Sequence, residues 1–190
     1  MAKAYSLMLL MCISSMPLFV SCEMQGNIRT ISFPDGSKYV GEMQDSVKQG
    51  YGKMTWANGD SYEGQWFTDK IQGNGVFTWA NGDTYNGQWV HNQRQGQGTM
   101  TEKNGGVYTG QWEANKRSGQ GTYTKPGGMS YTGSWSNDKK NGNGVFKWPD
   151  GSHYEGEWKD DKRSGQGVMT SADGKTVEKG KFLNDLFVGK

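Results

Sequence analysis

From residue 30 onward the chain alternates in pairs. In "YEGQW" (62–66) an aromatic, a glycine and an aromatic fall at i, i+2 and i+4 with polar residues between them. That is the period of one face of a β-strand. Tyr39, Tyr62, Tyr85, Tyr108, Tyr131 and Tyr154 stand 23 residues apart at every step. Gly41, Gly64, Gly87, Gly110, Gly133 and Gly156 keep the same step. So do Trp66, Trp89, Trp112, Trp135 and Trp158, with Met43 in the first unit. A second alternating segment follows in each unit, such as "GVFTW" (75–79), with the apolar column Met54, Phe77, Met100, Tyr123, Phe146 and Met169. Self-similarity at a fixed period marks a repeat array, and nothing in it has helical spacing.

Each unit therefore predicts two strands. "NG" at 58–59 and 81–82 reads as a two-residue hairpin turn, because both residues tolerate positive φ. The other connection, six residues such as "FTDKIQ" (67–72), reads as a polar loop. Glycine between Tyr and Trp leaves room for neighbouring rings to lie across the strand. Six full units are flanked by a half strand, "ISFPDG" (31–36), and by a degenerate half unit, "FLNDLFVGK" (182–190). The latter fits after one extra residue within "VEKG" (177–180), with Val177 in the tyrosine column. Atypical ends are the expected caps of an array. The expected fold is all-β: stacked β-hairpins forming one long twisted antiparallel sheet. At about 4.8 Å per strand it spans roughly 60 Å, and right-handed twist curls it into a trough.

The pattern Y-x-G-x-W, six residues, then G-x-G, repeated every 23 residues over roughly 30–189, resembles the MORN repeat (membrane occupation and recognition nexus). Met43, Glu102, Lys125 and Ser171 depart from it where other units carry tryptophan or phenylalanine. The resemblance implies a hairpin array that serves as a scaffold for proteins or a contact with membranes, with no catalysis and no cofactor.

The start of the chain has a different character. Lys3 precedes a mostly apolar run from Ala4 to Val20, with Ser21 and Cys22 after it, the shape of a secretory signal. The run contains Ser6, Ser14, Ser15 and Pro17, which suits a permanent span poorly. "LFVSC" resembles the lipobox of bacterial lipoproteins, with Phe19 where leucine is usual. The expected organisation is a signal peptide over 1–21, a lipidated Cys22 and short tether over 22–29, and the array over 30–190. An uncleaved anchor, or a periplasmic or secreted product, is the alternative. Once Cys12 leaves with the signal, Cys22 has no partner for an internal disulfide.

Charge and composition narrow the function. The chain has 21 Lys+Arg against 19 Asp+Glu, and loss of Lys3 leaves 20 against 19. So even a balance argues against nucleic-acid binding, which needs a basic footprint. Thirty glycines and 13% aromatics in a chain only 33% hydrophobic fit an elongated structure with little deep core. His91 and His153 fall in different repeat positions, and neither a His pair nor a CxxC at metal spacing occurs. The G-x-G pairs are a periodic strand feature, whereas a dinucleotide fingerprint must join strand to helix. No metal site and no enzyme are expected.

Two surfaces remain as candidates. The first is an aromatic groove for a protein partner, lined by Tyr62, Trp66, Phe77, Tyr85, Trp89, Met100, Tyr108, Trp112, Tyr123, Tyr131, Trp135, Phe146, Tyr154 and Trp158. Aromatics and methionine carry interface energy. The second is a basic loop edge for anionic lipid headgroups, formed by Lys48, Lys70, Arg94, Lys116, Arg117, Lys139, Lys140, Lys162 and Arg163. Acids interleave in most of the same loops, which favours the groove. The expected protein is a bacterial cell-envelope lipoprotein whose array binds a protein partner, with headgroup recognition as the alternative.

Lipidation at Cys22 predicts that Cys22→Ser releases the protein from the membrane while Cys12→Ser does not. Fractionation with labelled palmitate checks this, and equal membrane retention of the Cys22 variant would favour an uncleaved anchor.

Overall fold

The computed structural model describes residues 27–189; the expected signal segment and Cys22 lie outside the described residues. Among the described residues there is no helix, and fifteen strands pair in strict chain order into one open antiparallel sheet. β1 is Ile28–Ser32. The seven-residue strands are β2 Lys38–Gln44, β4 Ser61–Phe67, β6 Thr84–Val90, β8 Val107–Glu113, β10 Ser130–Ser136, β12 His153–Lys159 and β14 Val177–Leu183. They alternate with the nine-residue strands β3 Val47–Thr55, β5 Lys70–Thr78, β7 Gln93–Thr101, β9 Lys116–Thr124, β11 Lys139–Lys147 and β13 Lys162–Thr170; β15 is Leu186–Gly189. β1 begins inside the stretch expected to be a tether.

The two connections exchange the roles expected of them. Within "FTDKIQ", Phe67 ends β4 and Lys70 begins β5, so only Thr68 and Asp69 form the turn. Both have positive φ, as do the equivalent pairs in all seven such turns, at 45–72°. Two consecutive left-handed residues make the hairpin turn whose twist matches the strands. Chain-local preference did not announce it, because Thr68 and Ala114 are poor left-handed residues. At the "NG" connection only the glycine has positive φ, Gly59 at 91°. Gly59 N–H donates to the Trp56 carbonyl, and Trp56 N–H donates to the Asp60 carbonyl. This is the three-residue loop with a left-handed closing glycine.

What makes the turn pairs affordable is a contact with the preceding unit. The Asp69 carboxylate accepts from Lys48 N–H at 2.9 Å, and Asp69 N–H donates back to the Lys48 carbonyl at 3.1 Å. The clip recurs between Ile71 and Asn92, Arg94 and Asn115, Arg117 and Asp138, Lys140 and Asp161, and Arg163 and Asp185. Six of the seven turns, all but Asp45–Ser46, are thus held by this pair of hydrogen bonds to the hairpin before them.

The core is a single layer of rings. Tyr39, Tyr62, Tyr85, Tyr108, Tyr131 and Tyr154 are at most 2% exposed, and the column from Trp66 to Trp158 is 4–6% exposed. From Tyr39 to Phe182 the rings meet edge to face without a break, with centroids 5.0–5.7 Å apart and planes at 80–89°. This is the geometry that aromatic quadrupoles favour. Each tyrosine lies over a pair of facing glycines. Gly64 opposes Gly75, and a Cβ on Gly75 would overlap the Tyr62 ring and hydroxyl. The polar tips are satisfied: Tyr62 Oη donates to the Gln65 carbonyl at 3.1 Å, and Trp66 Nε1 donates to the Gly52 carbonyl at 3.0 Å.

Between the glycine and the tryptophan the register slips, as at Gly64/Trp66. The skipped residue, Gln65, turns its Oε1 onto the Asn74 N–H at 2.8 Å. Glu42, Gln88, Gln111 and Glu157 do the same. The glutamine column that reads as plain solvent face is therefore a set of bulge caps. At the C-terminal end the extra residue sits in the loop 171–176, where Ser171 N–H donates to the Thr176 carbonyl. Glu178, which opposes Met169 as Tyr154 does, thereby takes the tyrosine column in place of Val177.

Gly75→Ala should cost about 1–3 kcal/mol, the range for overpacking, because the Tyr62 ring must move. Val76→Ala, on the opposite face and 38% exposed, should cost under about 1 kcal/mol. Denaturant melts of the two variants check the order.

Candidate functional site

Strand alternation puts the tyrosines, tryptophans and the Met54–Met169 column on one face, and the Thr, Gln and Glu side chains on the other. On the aromatic face the expected lining residues separate into two depths. Tyr62, Trp66, Tyr85, Trp89, Tyr108, Trp112, Tyr131, Trp135, Tyr154 and Trp158 are buried in the ring zigzag, whereas Phe77, Met100, Tyr123 and Phe146 are half-buried and reachable. Trp56, Trp79 and Trp148, which are not among the expected lining residues, are reachable as well. They occupy one column at the mouth of each three-residue loop, a periodicity that could have found them. Trp56 stacks on Phe77 at 5.4 Å, Phe77 lies 4.6 Å from Trp79, and Phe146 lies 4.6 Å from Trp148.

In the middle of the array this column changes character. Glu102 and Lys125 replace tryptophan, and Tyr123 Oη donates to Glu102 Oε2 at 3.1 Å. Burial, then the bond to Glu102, pushes the Tyr123 phenol up to about 12. Two apolar surfaces thus flank a polar centre.

The nine basic side chains do not form a single loop edge. All sit in strands, and alternation divides them. Lys70, Lys116, Lys139 and Lys162 point away from the rings and are exposed. Lys48, Arg94, Arg117, Lys140 and Arg163 lie over the rings. Arg117 Cζ is 4.3 Å from the Trp135 centroid, Lys140 Nζ 4.4 Å from Trp158, and Arg94 Cζ 4.5 Å from Trp112. Lys48 and Arg163 lie 5.4 and 5.5 Å from Trp66 and Phe182. Their side chains are largely covered, at 19% exposure for Lys48, 25% for Arg117 and 20% for Arg163, against 52% for Lys139. The turn acids pair with them: Lys48–Asp69 at 2.9 Å, Arg117–Asp138 at 3.2 Å and Arg163–Asp185 at 3.3 Å. Burial lowers the basicity of Arg94 and Lys140. The Lys48 backbone N–H holds the Asp69 carboxyl below its ordinary value.

His91 sits in a hairpin turn and His153 opens β12. Among the described residues no group of three or more His, Cys, Asp or Glu is placed to hold a metal ion. Among the described residues, this face offers a ligand aromatic rings and cations.

Six consecutive copies of the MORN repeat model match the chain, at 39–61, 62–84, 85–107, 108–130, 131–153 and 154–176. No curated protein matches the sequence. Among solved structures, the chain is similar to the TCP domain of Drosophila melanogaster SAS-4 (dCPAP) in complex with a proline-rich motif of Ana2 (dSTIL). Identity is 15% and the TM-score 0.45, over 91% of this chain and 99% of that one. The TCP10c domain of Drosophila melanogaster Sas-4 matches at 16% identity and a TM-score of 0.37, over 82% and 99% of the two chains. The wild-type TCP10 domain of Danio rerio CPAP matches at 14% and 0.25, over 82% and 97%.

The division of the basic residues gives adjacent positions opposite expectations. Arg117→Gln should cost about 1–2 kcal/mol, as for a partly desolvated cation–π contact with a charge-assisted hydrogen bond. Lys116→Gln should stay within about 0.5 kcal/mol. Thermal or denaturant melts of the single variants check this, and equal small costs would mean that the guanidinium does not hold the ring layer.

Proposed function

The chain belongs to the MORN-repeat family, and from that premise we propose that it is a non-enzymatic scaffold of the bacterial cell envelope. It is tethered by an acyl chain on Cys22, and it binds a protein partner on its aromatic face. The observation that carries the reading is the row of half-buried Trp56, Phe77, Trp79, Phe146 and Trp148. These side chains stand above a ring layer that is already complete without them. Large aromatics left reachable on a sheet whose buried core is satisfied are suited to forming the centre of an interface.

Anionic headgroup recognition has less support. Five of the nine basic side chains lie over rings, and turn acids neutralise most of them. The exposed remainder, such as Lys139 beside Asp160 at 3.5 Å, forms a mixed-charge face of the kind that deters edge and surface association.

A photo-crosslinking residue at Phe77 or Phe146 should capture a discrete protein in cells, and one at Val76 or Thr99 on the opposite face should not. Capture of the same protein from Val76 and Thr99 would move the interface to the polar face. Capture from neither face, together with salt-sensitive binding of anionic vesicles, would favour the headgroup reading.

A further inference from the structure

The repeat contains its own controls for where the aromatic face is specialised. The second residue of all six nine-residue strands is clipped to a turn residue one unit on, and in five of them it is a long cation over a ring. In four units that turn residue is an acid, giving Lys48–Asp69, Arg117–Asp138, Lys140–Asp161 and Arg163–Asp185. Two adjacent units break the rule in opposite ways. One has Ile71 with Asn92, so the cation is missing; the next has Arg94 with Asn115, so the acid is missing.

Each break has a physical consequence. Ile71 is too short to reach across the face, and a groove of about 400 Å³ lies there, lined by Met54, Trp56, Ile71 and Phe77 and bounded by the Lys48–Asp69 ion pair and Asn92. Arg94 donates from Nη2 to the Asn115 carbonyl at 2.7 Å, as Arg117 and Arg163 donate to the Asp138 and Asp185 carbonyls. Those two also aim Nε at a carboxylate, at 3.2 and 3.3 Å, and an asparagine supplies no such charge. Arg94 lies 5.7 Å from the Trp79 centroid, and Trp79 lies 4.6 Å from Phe77. The apolar groove and the half-buried guanidinium without a carboxylate therefore adjoin through one indole.

We propose that this junction docks an extended acidic segment of a partner protein. An apolar side chain enters the groove against Ile71 and Phe77, and a carboxylate a few residues along pairs with Arg94. The proposal rests on the reading that the aromatic face binds protein, and it adds where on that face and with what chemistry. Asp69 pairs with Lys48 at the groove, so the uncompensated charge at the junction is that of Arg94, which disfavours a basic segment. A partner's carboxylate at a partly desolvated guanidinium gains a charge-assisted hydrogen bond where the array supplies none.

The test uses two substitutions that write the residues of other units into the odd ones, Ile71→Arg and Asn115→Asp. Both preserve the repeat pattern, and circular dichroism and thermal melts confirm folding. A random peptide library is selected on the full chain, and the enriched peptides are titrated against each variant. The expected peptides combine a large apolar residue with Asp or Glu close by. They lose about tenfold or more on Ile71→Arg, as for a filled hot-spot pocket. On Asn115→Asp the acidic peptides weaken severalfold, while their Asn and Gln counterparts do not change. Basic peptides, indifference to both substitutions, no enrichment at all, or displacement by inorganic phosphate would overturn the proposal. Crosslinking from Phe77 that persists unchanged in both variants would overturn this site and leave the wider reading of the face standing.

Discussion

A sheet one layer thick has no second layer to pack against, so its core has to be built on its own backbone. Here that is done by laying each tyrosine ring across two facing glycines, where any Cβ would meet the phenol. The rest depends on that contact. It sets the tyrosine nearly perpendicular to the next tryptophan, extends the zigzag from unit to unit, and buries aromatic area in a chain only 33% hydrophobic. Burial in this layer also pushes the Tyr85 and Tyr108 phenols up to about 12. The rings are neutral, packed and hydrogen-bonded through their tips, so their first duty is to hold the sheet.

Coupling between units runs through the hairpin turns as well as the rings. A turn of two left-handed, non-glycine residues is costly in isolation, and every one after the first is held by a side chain and an N–H that reach the preceding hairpin. Stability then resides in nearest-neighbour interfaces, as in other arrays. The same clip orients the cation at its far end over the ring layer. A basic residue that looks like surface charge in the sequence thus becomes a cover for the core.

Regularity of this kind makes departures informative. Glu102 and Lys125 interrupt the outer tryptophan column, Ile71 interrupts the cations, and Asn92 and Asn115 interrupt the acids. These breaks fall within three neighbouring units, where the face has an apolar groove and a guanidinium without a carboxylate in its clip. A uniform array would offer every ligand the same surface at every unit; these departures give one stretch a distinct chemistry.

The sequence by itself determined the period, the all-β hairpin array, the antiparallel sheet and the identity of the ring columns. It could do so because alternation and glycine placement are local and repeat six times. It placed Lys70 in one basic row with the others, and the break at Ile71 emerges only once the strand boundaries send the two positions to opposite faces. Tertiary structure decided which connection is the tight turn, because the left-handed pair at Thr68–Asp69 is stabilised by Lys48, 21 residues away, and not by its own residue types. It decided that Gln65 and its equivalents cap a bulge, which needs the slipped register of the neighbouring strand. It decided, too, that Arg117 covers a ring while Lys116 faces solvent. Once the turn is assigned to two residues instead of six, strand alternation sends adjacent side chains to opposite faces.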